Sequence, residues 1–514
     1  MKFHPFETLA SRTRPFFAAR KTNAGVKIDG LPTCNLGHVI AGGGRPVPDG
    51  LFVNWHWDGD RLIVTNDRYG IYPLFYSHYG SEIRISPSIY HILDGDFPKT
   101  LNFPGLAVFL RLDFFIGEDT PFEHIHVLPP GSRLTWTQGE LTLERGSREV
   151  PAGVPLSFDD SVDRYIELFA QSIRRRPPLE AFHLPLSGGR DSRHILFELI
   201  KQGHRPDRVV TVQPHPPVDD EDRRIAALLA QELALDHDEV SYSPSYLAAT
   251  LKDIELTEMC ASAHTWLMPL AGYLEARASR YIYDGLAGSV LSGGFQVTDE
   301  KHSLLSNGKT SSLARMLLGG TDKERTLQAQ LRSSFIKCIP KEIAVERLSH
   351  ELDSHTKQRN PLVSYIFWNR TRRLVSLIPV SMLSHVQTVF CPYLDHDLFD
   401  FLINLNPNDT LGNRLHDEAI KRAYPQYAHI PYESKTNRPA DPKEHRRYYN
   451  RSARETLGHL VRHPALATSG MIKTERLAAT LVRDSLSRRP PKAWYLHTLL
   501  HLFELERLAK TVQG

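Results

Sequence analysis

The sequence predicts an α/β chain in two parts, a β-rich first part and a second part in which strands and helices alternate around a parallel sheet. Three observations carry this. Residues 51–76 are dense in β-branched and aromatic side chains and break at Asp58-Gly59, the signature of a hairpin. From Phe182 to Ser241, short apolar runs alternate with helical spacings, as a parallel sheet covered on both faces requires. Between the two, Glu149-Val150-Pro151-Ala152-Gly153-Val154-Pro155-Leu156 is rich in turn formers. A chain of 514 residues exceeds one ordinary core, so we expect two domains, residues 1–150 and 157–514.

In the first part, Leu51 to Tyr76 supplies two or three adjacent strands and Glu82-Ile83-Arg84-Ile85-Ser86 adds another. Gly131 to Trp136 and Leu141-Thr142-Leu143 form a second hairpin that turns at Gln138-Gly139. The second part opens with an amphipathic helix over about 158–175 and Pro177-Pro178, then the apolar run Phe182-His183-Leu184-Pro185-Leu186. Ile195, Leu196, Leu199 and Ile200 recur at helical spacing, and Gly203 with Pro206 ends that helix. Val209 to Val212 is a strand, 219–233 an acidic helix and His237 to Ser241 a further strand. From about Ala453 to Val512, apolar residues at helical spacing predict packing helices.

The centre of the second part is Leu186-Ser187-Gly188-Gly189-Arg190-Asp191-Ser192-Arg193, a Ser/Gly turn between a strand and a helix. Glycines let a backbone approach a ligand, and a helix start offers unpaired N–H groups and a positive dipole end to an anion, so phosphate is the expected guest. It is not the Gly-x-x-x-x-Gly-Lys loop, whose lysine is absent. Taken alone, the segment also fits a plain strand-to-helix turn with Asp191 as its cap.

Composition excludes several classes. With 41% hydrophobic and 24% charged residues and a net charge of +3, the chain reads as globular, with no bulk electrostatic pull on nucleic acid. The basic runs Arg174-Arg175-Arg176 and Arg488-Arg489 read as solvated helix ends. The 25 histidines form no zinc-type spacing, and Cys34, Cys260, Cys338 and Cys391 are scattered as reduced thiols would be. No signal-peptide pattern or spanning apolar run is read, so the expectation is a cytoplasmic protein without a membrane partner. Oligomeric state is not legible.

Ser187-Gly188-Gly189-Arg190-Asp191-Ser192 resembles the Ser-Gly-Gly-x-Asp-Ser signature of the PP-loop ATP-pyrophosphatases. Asn66-Asp67-Arg68-Tyr69-Gly70-Ile71-Tyr72-Pro73-Leu74-Phe75-Tyr76 resembles the Arg-Asp-Arg-x-Gly-x-x-Pro-Leu-Tyr-Tyr segment of glutamine-dependent asparagine synthetases. Phe122 to Gly131 is similar to their Phe-x-x-Ile-x-x-Leu-Pro-Pro-Gly, and Tyr281 to Phe295 to their second nucleotide-side loop. Phe390-Cys391-Pro392-Tyr393-Leu394-Asp395 resembles Arg-x-Pro-Phe-Leu-Asp. The resemblance implies an Ntn-type αββα glutaminase-like sandwich, followed by a PP-loop parallel-sheet domain with C-terminal helices.

It also implies chemistry. ATP and Mg2+ would be the cofactors, with Leu186 and Val212 lining the adenine pocket. Ser187, Gly188, Gly189, Asp191 and Ser192 would bind pyrophosphate, and Asp284 and Gly285 belong to the second loop. Asp191 would hold the metal, and Lys435 would neutralise the reacting phosphate, although as a lone lysine in a polar loop it also fits a surface residue. The partners would be a small-molecule or peptide carboxylate and an amine or ammonia.

Five positions depart from the family pattern. Lys2 stands where its glutaminases carry a cysteine, and Cys34 has no nucleophile context, so the glutaminase fold is expected without glutamine hydrolysis, as in the related β-lactam synthetases and lasso-peptide cyclases. Leu286 replaces an acidic residue and Ser289 replaces an aspartate that shares the metal, for which water or Asp284 could substitute. Thr388 and Phe390 stand in place of a glutamate and an arginine, which argues against a charged, aspartate-sized substrate pocket. Two functions follow: an ATP-dependent amide ligase, or a nucleotide-binding scaffold without catalysis.

Overall fold

The computed structural model describes residues 14–40, 48–151, 155–213, 221–433, 441–487 and 494–510. The first part is a sandwich of two antiparallel sheets. One is ordered β2 (Gly25–Gly30), β1 (Phe17–Thr22), β7 (Glu82–Ser86), β6 (Phe75–Tyr79), β8 (His126–Val127). The other is ordered β10 (Glu140–Glu144), β9 (Arg133–Thr137), β5 (Arg61–Asn66), β4 (Asp49–Trp57), β3 (Thr33–Ile40).

Alternation along these strands sends Phe17, Val53, Trp55, Val64, Ile83, Ile85, Leu134 and Trp136 into one dry layer between the sheets. Both expected hairpins form. The β9–β10 turn places Gln138 and Gly139 at φ 52° and 95°, with Thr137 paired to Glu140. A short helix, Ile89–Ile92, packs on β6 and β7.

In the second part, β11 (His183–Pro185), β12 (Arg208–Val212) and β13 (His237–Val240) form a parallel sheet in that order. A second parallel pair, β14 (Tyr281–Tyr283) and β15 (Thr388–Phe390), lies beside β11, so the parallel sheet is built in two pieces. Ser279 Oγ and His183 Nδ1, 2.9 Å apart, link the pieces. The helix Phe158–Arg174 is capped by Ser157, whose hydroxyl accepts from the Asp160 N–H at 3.1 Å. Helices Asp191–Lys201 and Glu221–Glu232 follow β11 and β12 as the alternation requires. Pro442–Arg462, Thr474–Leu486 and Trp494–Lys510 are the expected C-terminal helices.

The two parts are docked by an interlock of polar groups inside an apolar seam. Tyr69, fully buried, stacks edge-on against Phe367 and Phe399. Arg372, buried on the wide π-type helix Ile366–Val375, donates to the carbonyls of Gly70, Gly117 and Leu128 at 3.2, 3.2 and 2.8 Å. Arg373 donates to Gly117 and Asp119 carbonyls at 2.6 and 2.8 Å, and Arg68 pairs with Asp400. Burial drives the Arg372 guanidinium down to about 9, yet its hydrogen bonds hold three connecting segments of the β-rich part to the helix. No helix among the described residues is long and apolar enough to cross a membrane.

Candidate active site

Where β11, β12 and β14 end, the chain leaves a cavity of about 300 Å³. Its position outside the carboxyl ends of parallel strands is where such sheets bind ligands. Leu186, Ser187, Asp191, Ser192, Val212, Asp284 and Gly285 all border it. Gly188 and Gly189 belong to the same loop but are not part of that lining. Lys435 lies outside the described residues. Its neighbour in sequence, Glu433, donates its N–H to the Gly188 carbonyl at 3.2 Å, which lays the preceding segment on the loop.

The loop is braced from within and from behind. Ser192 Oγ accepts from the Ser187 N–H at 3.1 Å and lies 3.0 Å from Ser187 Oγ, which accepts from the Gly189 N–H at 3.2 Å. Gly188 donates to the Asp222 carboxylate on the next helix. A Cβ on Gly188 would fall 2.9 Å from Ile225 Cβ, so this glycine is required by packing against the helix Glu221–Glu232, and neither Gly188 nor Gly189 has a left-handed φ. Arg193 donates to the Ile430 and Pro431 carbonyls at 2.9 and 2.6 Å, Arg190 pairs with Asp417, and both guanidiniums lie over the Tyr432 ring.

Asp191 is the joint between the two glycine loops. It does not cap its helix. Arg190 occupies that position, and the Asp191 side chain turns to accept from the Ser289 N–H at 2.9 Å. The opposing loop has no room for side chains there. A Cβ on Gly285 would fall 2.7 Å from Asp191 Cβ, and one on Gly288 would fall 2.5 Å from Asp191 Oδ1. Ser289 therefore meets the Asp191 carboxylate through its backbone.

Behind Asp191, His416 Nδ1 lies 3.6 Å from Oδ1 and 2.9 Å from Ser292 Oγ. Burial, reinforced by Arg190, holds His416 down at about 3, so it is a neutral partner. Asp284 accepts from the Leu286 N–H at 2.7 Å, and burial raises its carboxyl to about 6.

Among the described residues no three His, Cys, Asp or Glu side chains converge as a metal cage. The four cysteines are free thiols, and burial raises Cys34 above its ordinary value.

The rest of the lining was not read from the sequence. Thr211, Asp222, Trp266, Arg370 and Thr371 border the cavity, with Leu267, Leu270, Val375, Ile378 and Leu383 as an apolar wall. Asp222 lies in a sequence-visible acidic run that reads as a helix start. Arg370 sits in Asn369-Arg370-Thr371-Arg372-Arg373, where the cluster of cations without acids was the available signal.

Residues 167–506 match the family model described as asparagine synthase. The chain belongs to the asparagine synthase family. Residues 48–146 match a glutamine amidotransferase domain, so this asparagine synthase homologue carries an amidotransferase-like sandwich ahead of its asparagine synthase domain. No curated protein matches the chain. Among solved structures, NMN synthetase from Francisella tularensis is similar at 19% identity over 42% of this chain and 93% of that one, with a TM-score of 0.21. Membership in the asparagine synthase family supports, at the coarse level, an ATP-dependent amide-forming ligase.

Proposed function

We propose that the protein adenylates a carboxylate with ATP and passes the acyl group to an amine or ammonia, without hydrolysing glutamine. The observation that carries this reading is Asp191, set at a cavity between two close-packed glycine loops, at the start of a helix and at the ends of parallel strands. An acid serving only as a helix cap would not be wedged against the opposite loop.

The residues present fit MgATP. Ser187, Gly189 and Ser192 would hold pyrophosphate, Asp191 the magnesium, and Leu186 and Val212 the adenine, while Lys435 would neutralise the reacting phosphate. MgATP would supply an electrophilic α-phosphorus to the acid. The chain's own part is electrostatic and geometric: the helix start and the Ser187 and Ser192 hydroxyls stabilise charge that grows on the phosphates, and the apolar wall keeps water from the activated acid.

Loss of glutamine hydrolysis is supported by Cys34, the one cysteine before residue 260, which sits on β3 with its thiol raised by burial rather than lowered for attack. The amine would then arrive directly.

The test is product analysis. Incubation with Mg2+, ATP, a carboxylate pool and ammonium or an amine should yield AMP and pyrophosphate, and glutamine should yield no glutamate above a heat-killed control. ADP as the product contradicts adenylation, and glutamate release contradicts the loss of the glutaminase. MgATP binding with no turnover on any acid favours the second reading, a nucleotide-binding scaffold, for which the replacements at Leu286 and Ser289 speak.

A further inference from the structure

The helix Ile366–Val375 carries three cations within four residues of a wide π-type coil, and they are not used alike. Arg372 and Arg373 direct their donors to backbone carbonyls of the β-rich part. Arg370 faces the cavity instead. Its guanidinium lies 4.8 Å from the Phe295 ring centre, burial lowers its pKa, and among the described residues it has no carboxylate partner. Thr371 beside it is 1% exposed, borders the same cavity, and its hydroxyl has no hydrogen-bond partner among the described residues.

A buried hydroxyl left without a partner is costly unless a ligand completes it, and the half-buried Arg370 beside it adds a cation without a carboxylate partner at the same cavity. Arg and a hydroxyl together suit an oxyanion. The wall around them is apolar: Trp266, Leu267, Leu286, Val375 and Ile378. The acidic groups of the cavity, Asp191, Asp222 and Asp284, belong to the loop side, where phosphates with magnesium are expected.

We infer that Arg370 and Thr371 receive the carboxylate of the acyl substrate, and that this substrate is an acid with a hydrocarbon or aromatic body rather than an amino-dicarboxylate. The assignment rests on the ligase reading for its role in catalysis but not for the binding itself. Arg370 is a specificity-determining residue: it fixes the acid while the apolar wall excludes a polar body, whose groups would be desolvated without partners.

The probes are 3-phenylpropionate, its neutral amide and L-aspartate, titrated calorimetrically into the full chain with and without MgATP. The phenyl acid should bind, and the amide and aspartate should bind at least tenfold more weakly, since a charge-assisted contact is worth roughly that much. Arg370→Gln should lose about tenfold or more of the acid affinity and leave MgATP affinity within about twofold. Thr371→Val, which keeps the side-chain shape, should lose a few-fold, on the order of one neutral hydrogen bond. Equal binding of acid and amide, preference for aspartate, or no acid binding that depends on Arg370 overturns the assignment. So does a loss of MgATP affinity in Arg370→Gln, which would make Arg370 a phosphate ligand. Absence of MgATP binding in the parent, with Arg370-dependent acid binding intact, would instead sink the ligase reading and leave the acid site standing.

Discussion

Asp67 and Asp191 each lie in a family-like segment that follows a strand, but the molecule uses them in opposite ways. Asp67 is fully buried and accepts from the N–H groups of Tyr69, Ile71 and Tyr72 at 2.9, 3.2 and 3.2 Å, so its carboxylate is consumed in shaping one turn. The residues it shapes, Arg68, Tyr69 and Gly70, then dock on the second part through Asp400, Phe399 and Arg372. Asp191 instead borders a cavity, accepts one N–H from Ser289, and is approached by glycines that leave it space. One motif holds two parts of the chain together, while the other faces a place for a ligand.

The largest effect that would break this contrast is on the docking side. Arg372→Met should cost about 4 kcal/mol in urea unfolding, because three buried carbonyls lose their donor at once. A loss below about 1 kcal/mol would mean that the seam is held by its apolar contacts alone.

Next comes Asp284, at the cavity. Burial raises its folded carboxyl from 3.8 to about 6, so between those values the folded chain retains a proton that the unfolded chain has released. Stability therefore falls as pH rises through this window and stays lower above it. Asp284→Asn should remove that fall, with a gain of up to about 3 kcal/mol at pH 8 that vanishes near pH 4. Denaturation curves at the two pH values decide; a gain equal at both would point to packing rather than ionisation.

The smallest effect sharpens the cavity side. A carboxylate introduced by Ser289→Asp beside Asp191 should lower the magnesium concentration needed for ATP binding by about threefold, as a second acidic ligand would. No change would mean that the metal is held elsewhere.

Much of this was legible before the structure. The Asp58-Gly59 and Gln138-Gly139 turns were readable because tight hairpins demand particular backbone angles, and the alternation after Phe182 because strand and helix differ in apolar period. The Leu186 to Ser192 segment was readable as a strand-to-helix turn because Ser/Gly turns are local in sequence. Three strands over 17–40 escaped notice, since β2 and β3 are mostly exposed on alternate or all positions and lack a continuous apolar run. The helices from Asp299 to Asp353 escaped as well, because no motif marks them. Arg370 and Thr371 could not be read as site residues, because only the fold brings the helix Ile366–Val375 to the loops. The reason for Gly188 was likewise tertiary: its hydrogen stands where Ile225 leaves no space.

The account stands or falls on MgATP at Asp191. Calorimetric titration of ATP with magnesium should show binding to the parent and none to Asp191→Ala, while both proteins keep the same unfolding midpoint within a few degrees, because the docking seam does not involve this carboxylate. If Asp191→Ala binds MgATP as the parent does, Asp191 is a structural joint between two loops and the claim that this half carries ATP chemistry is contradicted.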